Sequence, residues 1–193
     1  MDPPIHRSRA EMSHFRPPTL VIADAVRVWG GAERFVVDAA RGLGDRGWPV
    51  HVLAYPRAPL ATRARELGLK VHTARTRANG APWTVWPLRG WLDRIEADLL
   101  LTTYDKDLRT CGLAARLAGR DIAVVHSREC DAPLKDRPHI RWFHTRVADQ
   151  VWFNSEATAR TTFDSAPWLR EERTSVIPKG IDVERWATAE PGP

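Results

Sequence analysis

Cysteine is scarce in this sequence: the 193 residues hold only Cys111 and Cys130. They stand in no CxxC or Cys/His ligand spacing, which excludes a disulfide framework and a cysteine zinc site, and both read as reduced core thiols. No metal site is expected. Long apolar runs are missing as well. Nothing approaches the roughly 18 uninterrupted apolar residues of a membrane-spanning helix. The first residues, MDPPIHRSRAEMSHFRPP, put charge and proline where a secretory signal needs its apolar segment, so the expected address is cytoplasmic. A dinucleotide fingerprint is also lacking. The turn VRVWGGAER holds two adjacent glycines where G-x-G-x-x-G needs three in register, and Tyr55 and Pro56 follow the second predicted strand where a ribose-binding acid would stand.

The composition, 43% hydrophobic and 27% charged, suits one globular domain with one good core. The net charge is +5, with arginine far ahead of lysine. Such a balance fits an anionic membrane surface, phosphorylated substrates or a merely arginine-rich composition. No compact basic block argues for a nucleic-acid partner, and none is expected.

Residues 1–18, with four prolines, read as a flexible arm. From Thr19 onward apolar strands alternate strictly with helical patterns. TLVIAD, VHVLAY, KVHTA, DLLLTT, DIAVVH, QVWF and TSVIP are the strands. Between them lie helices after the glycine pair, over Leu60–Leu67, Leu88–Ile95, Leu108–Ala118 and Ile140–Ala148, and one capped by Asn154 or Ser155. Strands that are apolar throughout and joined by helices predict an α/β, Rossmann-like, doubly wound domain with a mainly parallel sheet of about seven strands. In such a sheet ligands sit beyond the carboxyl ends of the strands. This directs attention to Gly30, Gly31 and Glu33 after the first strand, Asp105 and Lys106 after the fourth, His126, Arg128 and Glu129 at the fifth, and Lys179 to Asp182 after the last.

SVIPKGIDVERW, taken with GGAERFVVDAARGLGDRGWPVHVLAY, resembles the family 4 retaining glycosyltransferases of the GT-B fold. YDKDLRTCGLAARLAG, HSREC and FNSEATARTTF resemble internal segments of bacterial members that build lipopolysaccharide or other surface glycans. Lys179 stands where the family usually has asparagine. The resemblance spans Thr19 to Trp186 and implies the acceptor-side, N-terminal domain, followed by the start of an interdomain linker at 187–193. It implies a nucleotide-sugar donor, no other cofactor, and a glycan or lipid-linked acceptor. The donor-binding C-terminal domain, or a partner chain, would complete the enzyme, so these residues alone are expected to be inactive. The alternative is a stand-alone module that binds a glycan, a lipid carrier or a partner chain.

By the same resemblance, Gly30 and Gly31 bring backbone to a donor phosphate or acceptor, and His126 stands near the sugar as the catalytic candidate. Glu33 and Arg34 read equally as site residues or as first-turn helix charges. Arg128 has the fork to grip phosphate or carboxylate, and Glu129 would orient it. Asp105 and Lys106 could bind acceptor hydroxyls or phosphates. Ser155 and Glu156 read as a cap and its first-turn carboxylate, and Lys179, Gly180 and Asp182 as hinge elements. Finally, Trp83, Trp86, Arg89 and Trp91 combine aromatic and basic character as an interfacial membrane anchor does, or else cap the core beneath a loop. Pro87 is expected to keep them off one continuous helix.

Overall fold

The computed structural model describes residues 16–76, 80–169 and 171–180. The parts of the predicted arm, linker and Asp182 cap that fall at 1–15 and 181–193 lie outside them. Seven strands form one parallel sheet: β1 Leu20–Asp24, β2 Val50–Ala54, β3 Lys70–Thr73, β4 Leu99–Thr102, β5 Ala123–Arg128, β6 Gln150–Phe153 and β7 Thr174–Val176. Their order is β3-β2-β1-β4-β5-β6-β7, the doubly wound arrangement read from the sequence. The chain winds outward to β3, returns to the middle at β4, and winds outward again. Connections leaving β1 and β4 therefore diverge and leave a crevice at their carboxyl ends.

Both faces of the sheet are covered, which is why its strands carry apolar residues throughout. Leu20, Ile22, Val52 and Val125 lie against α1 (Gly31–Gly44) and α2 (Pro59–Glu66). Val21, Leu53, Leu100 and Val124 point the other way, toward α3 (Pro82–Arg94) and the helix that follows β4. That helix opens as α4 (Asp105–Asp107), passes through a π-helical turn at Leu108–Gly112 and closes as α5 (Leu113–Arg116). After β5 come α6 (Pro138–Trp142), which continues as a π turn, Phe143–Val147, and then α7 (Glu156–Ser165). Gly47 and Gly68 take positive φ just past α1 and α2, a region that favours glycine.

Two expectations need correction. Helix α3 begins at Pro82 and runs straight through Pro87, six residues before the interruption read from the sequence would allow. Pro87 removes one amide, but the turn it would have bonded belongs to Trp83, which is 76% exposed, so water can serve that carbonyl. Cys111 is a buried thiol as expected, whereas Cys130 is exposed in the loop after β5. Arg16, at the end of the predicted arm, is paired with Glu96 at 2.9 Å. No helix among the described residues is long and apolar enough to cross a membrane.

Candidate active site

The crevice lies where the strand order reverses. At the end of β1 the chain rises through Val28 to Gly30, which caps α1 in extended conformation. No side-chain oxygen caps this helix, so its first-turn amides are left to water or to an anion. A Cβ on Gly30 would stand 3.2 Å from the Glu33 carboxylate, whereas one on Gly31 would meet nothing within 4 Å. Gly31 thus borders open space. A cleft of about 490 Å³ is lined by both glycines and Glu33, by Thr103 to Asp105 after β4, by His126, Arg128 and Glu129 of β5 and its loop, and by Asn154 and Lys179.

Buried acids hold this loop in place. Asp107 accepts the Ala25 amide at 3.0 Å and the Thr76 hydroxyl at 2.8 Å, tying the start of the β4 helix to the end of β1. Asp24 accepts from Thr103 at 3.0 Å, and Glu33 accepts from the Tyr104 hydroxyl at 3.2 Å. Burial, with Glu33 and Asp107 close by, pushes the Asp24 carboxyl up to about 7; burial pushes Asp107 up to about 6. Burial, with Glu33 and Asp24 close by, raises the Tyr104 hydroxyl.

On the other wall, three side chains meet. His126 Nδ1 lies 2.9 Å from Thr102 Oγ1, its lateral neighbour in the sheet, and its Nε2 lies 3.2 Å from Asp105 Oδ1. His144, from the π turn after α6, brings Nε2 to 3.5 Å of the same oxygen. Its Nδ1 lies 3.0 Å from the Ile140 carbonyl, which only accepts, so Nδ1 carries the proton. Burial would raise the Asp105 carboxyl, but the two imidazoles outweigh it and hold it well below the usual carboxylate range. Burial depresses His126, with His144 and Arg128 adding to the effect, and Asp105 opposes it. The trio places three ligand-type atoms within 4.8 Å. However, the Arg128 guanidinium stands 3.9 Å from Asp105 Oδ1, and its fixed charge opposes a cation there.

Arg128 is itself buried, with Nε bonded to Thr162 at 3.1 Å and Nη2 to the Ala132 carbonyl at 2.7 Å. Glu129 accepts from Ser127 and pairs with Lys179 rather than with Arg128. The segment after β7 therefore supplies a cation to the cleft where a hinge was read from the sequence. Ser155 caps α7 through the Thr158 amide, as expected. Lys106 lies beside the Tyr104 ring, outside the cleft lining. Of the predicted membrane-facing residues, Trp83 and Trp86 are exposed and Arg89 bonds the Leu117 carbonyl. Trp91 is the exception: it is buried and stacks on His72 at 4.2 Å, so it belongs to the core. Sequence reasoning missed Asp24, Asp107 and His144. An acid closing an otherwise apolar strand was the available signal for Asp24.

An open parallel sheet with a glycine-bordered cleft at its reversal point defines a doubly wound, Rossmann-like α/β domain. The chain belongs to Glycosyltransferase Family 4, whose model matches residues 29–185. No curated protein matches it by sequence. Among solved structures it is similar to HepE of Anabaena in complex with UDP, at 20% identity and TM-score 0.69, over 86% of this chain and 45% of that one. It is also similar to a glycosyltransferase of Rickettsia africae, at 12% identity and TM-score 0.76, over 92% of this chain and 47% of that one. MurG of Acinetobacter baumannii gives 18% identity and TM-score 0.61, over 85% and 46%. The chain spans less than half the length of each of these three structures, and at such identities the likeness is one of fold.

Proposed function

We propose that this chain is the acceptor-side half of a retaining glycosyltransferase. It would act on a nucleotide-sugar donor and a glycan or lipid-linked acceptor once a donor-binding domain, on a longer chain or on a partner, closes the cleft. The observation that supports this best is the convergence of Gly31, Asp105, His126 and Arg128 at one strand-order reversal in a family 4 chain. HepE has also been crystallised with UDP-glucose, which favours a nucleoside diphosphate sugar as the donor class.

Gly30 and Gly31 let diphosphate oxygens approach the uncapped amides of α1, where the helix dipole favours negative charge. Lys179 and Arg128 add positive charge across the cleft. His126, its pKa depressed, is neutral near pH 7; both its ring nitrogens are engaged, Nδ1 by Thr102 and Nε2 by Asp105, so it acts by positioning the Asp105 carboxylate at the cleft beside the sugar or acceptor hydroxyl. Glu33 and Glu129 offer acceptors for hydroxyls. The exposed Trp83 and Trp86 would make a peripheral membrane contact.

The test is a transfer screen over nucleotide-sugars with the enzyme that carries both domains and with these 193 residues alone as control. The two-domain enzyme turns over, His126→Ala lowers kcat about 100-fold while circular dichroism is unchanged, and the isolated chain is inactive. Turnover by the isolated chain, or full activity of His126→Ala, would overturn the reading.

A further inference from the structure

A second cavity, of about 610 Å³, opens beside the cleft. The two share Asp105, Arg128 and Cys130, while Gly30 and Gly31 border only the first. Arg109, Arg128, Lys135, Arg137 and His139 line the second cavity. Its one carboxylate is Asp105, already facing two imidazoles. Arg128 has little exposure, and two of its three nitrogens are bonded to Thr162 and Ala132. The third, Nη1, stands 3.9 Å from Asp105, beyond hydrogen-bond reach, on the side where the two cavities join.

We infer that this cavity binds a phosphoryl group carried by the acceptor, an inference that rests on the glycosyltransferase reading above. One carboxylate would be matched by a single guanidinium. Arg128, Lys135 and Arg137 against one committed acid leave an excess that a doubly charged group offsets better. The buried Arg128 fork supplies directed hydrogen bonds, and the exposed Lys135 and Arg137 supply attraction at the mouth. Because the cavity lies away from the glycine pair, its anion is distinct from the donor diphosphate. Its place next to His126 sets the phosphoryl group one cavity away from the reacting hydroxyl.

Calorimetry on this chain tests it with pyrophosphate, glucose 1-phosphate and geranyl diphosphate as probes and glucose as the neutral control. The phosphoryl probes bind and glucose does not, and Lys135→Gln combined with Arg137→Gln weakens the phosphoryl probes at least about tenfold without moving the melting temperature. Tighter binding of glucose 1-phosphate supports a phosphosugar acceptor, and tighter binding of geranyl diphosphate a lipid-linked one. Absence of phosphoryl binding, or binding indifferent to the double variant, overturns the inference. Binding lost instead in Gly31→Val assigns the anion to the donor cleft, which sinks this pocket and leaves the glycosyltransferase reading standing.

Discussion

Asp24 has no exposed surface and sits within the field of two other buried acids. Its ionised form is therefore disfavoured in the folded chain. A carboxyl raised from about 4 when unfolded to about 7 when folded holds its proton more tightly in the native state. The stability it contributes is full below the unfolded value and is lost as pH rises toward the folded one. Asp107, raised to about 6, acts in the same direction over a narrower window. Asp24→Asn keeps the shape and removes the charge. In thermal denaturation the variant is expected to exceed the parent at pH 8 by about 2 kcal/mol, and to differ little at pH 4. A variant no more stable at pH 8 would count against a buried, strained acid. At this scale the sequence pointed to residues at strand ends that the fold brings to one cleft, among them Gly31, Asp105, His126 and Arg128. His144 escaped because it lies 18 positions beyond His126, inside a helix, and only packing brings the two rings to 5.2 Å.

Among the elements, the helix after β4 shows how one small residue sets a register. Gly112 closes its π turn against the sheet and the second π turn: a Cβ there would stand 2.7 Å from Val147 Cγ1 and 3.2 Å from Leu108 Cδ1. Val147 is β-branched and buried, so it has little freedom to retreat. Gly112→Ala is expected to cost about 1–3 kcal/mol, read as a lower melting temperature, despite alanine's better helix propensity. An unchanged or raised melting temperature would mean the two turns are looser than their contacts imply. The same contact bears on the site, because the second turn carries His144. Helix periodicity located this element but not its π segment, which is confined to the short stretch Leu108–Gly112.

For the whole molecule, the strand order decides where chemistry can occur. Its reversal between β1 and β4 gathers the loops after β1, β4 and β5 into one cleft, while α3 packs on the sheet face opposite α1 and α2 with Trp83 and Trp86 exposed. That pair, beside Arg89, is expected to bind vesicles that contain anionic lipid. Trp83→Ala with Trp86→Ala should reduce co-sedimentation at least about fivefold, and added salt should weaken what remains. Sedimentation indifferent to both would remove the membrane contact from the functional reading.

The alternation of wholly apolar strands with helical segments was sufficient to establish a parallel α/β sheet, because a strand buried on both faces tolerates no polar alternation. The motifs likewise carried the family, which the match over residues 29–185 bears out. Tertiary structure alone decided that Trp91 is core, that Cys130 is exposed, that Lys179 enters the cleft, and that Asp105 is shared by two imidazoles. Each of these depends on which residues distant in the chain become neighbours. Local propensity and periodicity hold no information on that; it is set by how the helices settle against the two faces of the sheet.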